Sequence, residues 1–192
     1  MTLTPLRRVA RREASRAMMA LRYGFPVGGV DIKIDPQTGA ASGNARIGAF
    51  APLLSLDDAG AFLRHRLKIV YAGPVGQALA ERPEIAGEPD ALATLDDTHD
   101  DLVRAGELLS VLRAIEYPGD QFDLDVPDLR TAELRSALVR STRDILARPK
   151  FADAVSEAAD GIAAAHHGGS LILVGGAPLR AIGERYGLAL TA

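Results

Sequence analysis

Leu6, Ala10, Ala14, Ala17, Met18 and Leu21 recur at three- and four-residue spacing within residues 5–23. That period marks a helix burying one apolar face. Six arginines border the stripe (Arg7, Arg8, Arg11, Arg12, Arg16 and Arg22), against Glu13 as the one acid. The opening helix therefore carries an apolar stripe flanked by several cations. Gly24 suits its C-terminal end, and Pro26 with Gly28 and Gly29 forces a loop.

The remaining elements follow from similar local signals. Val30, Ile32 and Ile34 alternate with Asp31 and Lys33, which predicts a half-buried strand, and residues 35–39 form a turn. Residues 45–50 are expected to return as a second, weaker strand. Ser55 with Asp58 starts a helix through Phe62, Leu63, Leu67 and Val70. Gly73-Pro74 is expected to break or kink it, with Pro74 opening a continuation to Ala80. Residues 81–95 read as a polar loop. Thr98 offers an N-cap to a helix over 99–116, with acids in the first turn. Helices follow over 128–147 and 151–166, separated by Pro149. Residues 170–174 read as a strand between glycine pairs, and 178–186 as a last short helix. The expected fold is mainly helical α+β in one domain over residues 1–192, with a small sheet near residues 30–50.

Composition removes several classes of function. The chain has no cysteine, so disulfides, cysteine-ligated zinc and a thiol nucleophile are excluded, in keeping with a cytoplasmic location. Tryptophan is absent and aromatics are 5%, which argues against stacking on single-stranded nucleic acid. No eighteen-residue apolar run suggests a membrane span, and the N-terminus lacks the apolar core of a secretory signal. Neither Gly-x-x-x-x-Gly-Lys-Ser/Thr nor Gly-x-Gly-x-x-Gly nor Gly-x-Ser-x-Gly occurs. The net charge of −3 conceals an asymmetry, because residues 81–101 carry eight carboxylates against Arg82 alone. The acidic and arginine-rich blocks can meet each other or a partner.

Three short motifs occur in a suggestive order. Arg12-Glu13-Ala14-Ser15-Arg16 has the spacing of His-Glu-x-x-His and leads into Gly24-Phe25-Pro26-Val27 and Val30-Asp31-Ile32. Residues 71–79 include Ala72-Gly73-Pro74, with Gln77 three positions beyond the proline, and Asp101-Leu102-Val103-Arg104-Ala105 opens a later helix. The run over about residues 5–116 resembles the peptidase domain of FtsH, the membrane-anchored AAA+ zinc protease, and its stand-alone relatives. The resemblance implies an FtsH-peptidase-like helical fold and a zinc ion held at positions 12, 16 and 101. It also implies a general base at Glu13, a glutamate where Gln77 stands, and self-association as in the family's rings.

The chemistry departs from the resemblance. Histidines four residues apart on a helix hold zinc through imidazole lone pairs while the glutamate activates water. A guanidinium has no lone pair to give, and two of them repel a cation. No cofactor is therefore expected, zinc included. The residues point to a catalytically inactive relative that binds a protein partner or itself, with Arg12 and Arg16 forming an ion pair with Asp101 in place of metal. Two alternatives stand beside it. One is a metal-dependent hydrolase with a rearranged site using Glu13, Asp101 and a histidine. Its candidate ligands are His99 with Asp96, Asp97 and Asp100, and the His166-His167 pair, while His65 sits between Arg64 and Arg66. The other is a phosphate-surface binder working through the arginine-rich helix, which the net negative charge and lack of interleaved aromatics make the weaker option.

Overall fold

A computed structural model describes residues 3–48, 54–96, 98–119 and 128–188. The elements are α1 (Pro5–Arg22), β1 (Val27–Ile34), β2 (Ala41–Ile47), α2 (Leu56–Glu81), α3 (Pro89–Leu92), α4 (His99–Glu116), α5 (Leu129–Leu146), α6 (Pro149–Ala164), β3 (Leu171–Gly175) and α7 (Gly176–Arg185). This is the mainly helical α+β class expected from the sequence. Its sheet is antiparallel in the order β2-β1-β3, so the central strand comes first in the chain. Buried apolar side chains from Val9 to Leu188 form one contiguous cluster.

Helix α2 is the hub, packing against α1, α4 and α5. Most of residues 66–78 are buried, including Leu67, Ile69, Val70, Tyr71, Ala72 and Val75. The expected break at Gly73-Pro74 does not occur, and α2 runs continuously through Pro74. An internal proline costs a helix roughly 3 kcal/mol. Here burial of this segment against its neighbours offsets that loss. The contact with α1 explains the glycines. A Cβ on Gly73 would lie 2.7 Å from Arg16 Nε and 3.0 Å from Arg12 Cγ, and one on Gly76 would overlap the Ser15 side chain. Small residues on both helices let the backbones approach.

That close approach yields a stability test. Gly76→Ala is expected to cost about 1–3 kcal/mol by overpacking against buried Ser15. Gly106→Ala on α4, where a Cβ meets nothing within 4 Å, is expected to stabilise by roughly 0.5–1 kcal/mol through helix propensity. Urea denaturation of both variants checks the pair, and equal effects would contradict the α1–α2 contact.

Several local expectations need correction. Strand β2 starts at Ala41, pairing immediately with Ile34 beyond the turn. Ser42, Gly43 and Asn44 are poor strand formers, so ladder pairing with β1 overrides propensity. Residues 49 and 50, placed in that strand by sequence, lie outside the described residues. The sheet also reaches beyond residues 30–50, because β3 pairs with β1. Gly29, at φ 138, admits this approach, since a Cβ there would collide with the Val174 carbonyl oxygen. The loop of residues 81–95 contains a 3₁₀ turn over Pro83–Ile85 and the one-turn helix α3, each begun by proline. Helix α6 likewise begins with Pro149 instead of being separated by it. Thr98 precedes α4 without capping it. Its buried hydroxyl donates to the carbonyls of Leu92 (3.1 Å) and Leu95 (3.0 Å).

Candidate functional site

Helix α1 brings Arg12, Glu13 and Arg16 to the junction of α2, α4 and β2. Positions 12 and 16 share one face, and Glu13 beside them points toward β2 because Gly43 leaves room. A Cβ on Gly43 would lie 2.9 Å from Glu13 Cγ. Glu13 is 0% exposed, and both carboxylate oxygens are occupied. Arg12 Nε donates to Oε1 at 3.2 Å, and Arg16 Nη1 lies 3.3 Å from Oε1 and 3.1 Å from Oε2. The Ala45 amide donates to Oε2 at 2.8 Å. A buried carboxylate is tolerable only when paired and hydrogen-bonded in this way.

Asp101, on the first turn of α4, completes the cluster. Its Oδ1 pairs with Arg16 Nη2. Arg16 thus bridges Glu13 and Asp101, while Arg12 pairs with Glu13. Of the two arginines expected to pair with Asp101, Arg16 contacts it directly, and the charge of Arg12 also acts on it. Burial pushes the Asp101 carboxyl above the usual carboxylate range, outweighing Arg16 and Arg12, which pull it down, while Glu13 adds to the rise. Asp101 Oδ2 is buried without a hydrogen-bond partner among the described residues.

Two expected outcomes follow. Asp101→Ala should cost about 1–3 kcal/mol by stripping Arg16 of a buried partner. Exposed Asp100→Ala should stay within about 0.5 kcal/mol. Similar small losses in chemical denaturation would refute a structural role for the pair. The second outcome concerns pH. Because the folded-state pKa of Asp101 is raised, the folded chain holds that proton more tightly than the unfolded chain. Its contribution to stability is greatest below the unfolded value and is lost as pH rises through the raised folded value. Asp101→Asn should remove this decline with rising pH, so melting curves of the two proteins should diverge as pH rises from 4 toward neutrality. Parallel curves would contradict the raised pKa.

The opposite charge blocks meet within the fold. Arg8 pairs with Glu81 and with Asp96, both at 3.1 Å, and Arg16 pairs with Asp101. Gln77 is buried, and its amide donates to Glu81 Oε2 at 3.2 Å. The histidines lie apart from Glu13's partners. His65 stacks on Tyr23 with ring centroids 4.1 Å apart, and burial, then Lys68, lowers its pKa. His166 Nε2 lies 3.1 Å from the Gly169 carbonyl oxygen, and His167 and His99 are exposed. Asp97 lies outside the described residues. Among the described residues, no three His, Asp or Glu side chains are placed to hold a metal ion.

Sequence reasoning missed the other wall of the site. A cavity of about 230 Å³ opens beside Arg16 and Asp101, lined also by Arg46, Arg66 and Arg104. These arginines come from β2, α2 and α4, so no single stretch announces their convergence. Arg66 lies 5.6 Å from the Phe25 ring centroid, a cation–π contact that helps orient its guanidinium. Neither a protein-family model nor a curated protein matches this chain.

Proposed function

We propose that this chain is a catalytically inactive relative of the FtsH-type peptidase domain that acts as a protein-binding module. The reading is carried by Glu13. Its position is that of a water-activating base in the resembled family, yet it is fully buried and accepts hydrogen bonds from Arg12, Arg16 and Ala45. A carboxylate so engaged has no free lone pair aimed at a water or a substrate, so general-base work is closed to it. Arg16 supports the reading too, since it touches Asp101, the residue that the resemblance assigns as third zinc ligand.

For the binding role, support comes from β3. It is an edge strand of the sheet, and it carries Leu171 (51% exposed) and Leu173 (63% exposed) on one face. An edge of this kind accepts a further strand through backbone hydrogen bonds, with side chains setting specificity. A second copy of the chain is the first partner to test. Among the described residues, no helix is long and apolar enough to cross a membrane.

The test is metal analysis of protein purified without a histidine tag, followed by zinc titration calorimetry and a peptidase assay. Absence of bound zinc and of zinc-dependent hydrolysis is expected. Stoichiometric zinc with hydrolysis lost in Glu13→Gln would overturn the reading. Sedimentation equilibrium of the wild type and Leu173→Lys tests the edge, with weaker self-association expected in the variant.

A further inference from the structure

The cavity beside Asp101 is a poor place to leave arginines unless something negative joins them. Arg16, Arg46, Arg66 and Arg104 line it, with Asp101 as the one acid in its wall among the described residues. Arg46 pairs with Asp31, and Arg16 with Glu13 and Asp101, which leaves Arg66 and Arg104 without an ion pair among the described residues. A surplus of two positive charges remains. Arg66 carries much of it. The residue is only 8% exposed, its Nη1 has no hydrogen-bond partner among the described residues, and Arg104 lies near enough to repel it. Arg16 Nε is buried and unpartnered as well.

Buried donors are nearly always satisfied, so two orphaned guanidinium N–H groups around one cavity call for an acceptor. Water would satisfy the hydrogen bonds but leave the charge. We infer that this cavity binds a doubly charged phosphate-type oxyanion, with Arg66 and Arg104 as its main contacts and Arg16 as a third donor. The arrangement suits that anion in three ways. Guanidinium forks match phosphate oxygens bidentately. The volume of about 230 Å³ is several times the roughly 30 Å³ that one water occupies. The unpartnered Asp101 Oδ2 can accept a hydrogen bond from a protonated phosphate oxygen.

The inference shares one premise with the proposed function, namely that no zinc ion occupies this junction. Calorimetry on metal-free protein at low ionic strength tests it with three probes: inorganic phosphate, phenyl phosphate and acetate. Saturable one-to-one binding of phosphate is expected, weakening with salt, with acetate at least about tenfold weaker for its single charge. Phenyl phosphate binding as well as inorganic phosphate would identify a monoester ligand, and exclusion of the phenyl ester would identify the free anion. Arg104→Gln is exposed and should fold normally, and Arg66→Met replaces a buried cation by an apolar chain. Each should weaken phosphate binding by about tenfold or more, the loss of one charge-assisted contact. Asp101→Asn should tighten it, and Arg64→Gln, which removes a cation paired with Glu116 outside the cavity, should leave it unchanged. No saturable binding, equal affinity for acetate, or wild-type affinity in both Arg66→Met and Arg104→Gln would overturn the inference alone. Zinc found at the junction would sink the proposed function with it.

Discussion

Glu13→Ala is expected to produce one of the two largest effects, a loss of about 3–5 kcal/mol in unfolding free energy. Three donors converge on this one carboxylate: the guanidinium groups of Arg12 and Arg16 and the amide of Ala45. Truncation removes the acceptor and leaves two mostly buried cations facing each other across the space it vacated. Arg16 retains Asp101, but Asp101 alone cannot reach the Ala45 amide, which pairs with Glu13 from β2. Domains of this kind have total stabilities of roughly 5–15 kcal/mol, so the variant should be marginal or unfolded. Glu13→Gln keeps the shape and one acceptor oxygen and should lose less. Urea denaturation of both separates a structural carboxylate from a dispensable one. A loss under about 1 kcal/mol for Glu13→Ala would show that the buried network contributes little.

Local signals reveal much of this fold, whereas the site depends on contacts distant in sequence. The stripe from Leu6 to Leu21 predicts α1 because helical period is a local property. The Val30–Ile34 alternation likewise marks a strand, and Asp35 makes the expected turn by accepting from the Gln37 amide at 2.8 Å and the Thr38 hydroxyl at 2.7 Å. Pro74 misleads for the opposite reason. Its local cost is real, but α2 is buried against three other helices, and that packing is invisible from the sequence around residue 74. Thr98 misleads similarly, since its hydroxyl is taken by carbonyls of the preceding turn. At the site, Arg12, Glu13 and Arg16 stand out through their spacing, and Asp101 through its resemblance to a zinc ligand. Arg46, Arg66 and Arg104 carry no comparable mark. Their meaning arises only when β2, α2 and α4 converge, and Arg66 becomes notable through burial without a carboxylate partner among the described residues. A lone arginine in a helix reads as solvated until the fold places it otherwise.

Placing imidazoles at positions 12 and 16 is the second large effect and tests the proposed FtsH-peptidase relationship directly. Arg12→His/Arg16→His places two neutral ligands four residues apart on α1, next to Glu13 and within reach of the space Arg16 now spans toward Asp101. Two imidazoles and a carboxylate with a water in the fourth position form a recognised zinc coordination set. The substitution also removes two cations that repel the metal. Without zinc, Glu13 keeps only the Ala45 amide among its described partners and should destabilise the fold, so the metal-free variant should melt well below wild type. With zinc, binding energy becomes folding energy, and free metal at a thousand times its Kd adds about 4 kcal/mol. The expected result is therefore a low-melting protein rescued by zinc and not by magnesium, with calorimetry giving one site. Arg12→Gln/Arg16→Gln removes the same charges without supplying ligands, and it should melt low with or without zinc. If zinc fails to rescue the histidine variant, or rescues both variants equally, the junction of α1 and α4 lacks the geometry of a metal-holding frame. The FtsH-peptidase resemblance would then have no physical basis at its central motif, while the phosphate inference, which concerns the wild-type arginines and requires no metal-holding frame, would stand.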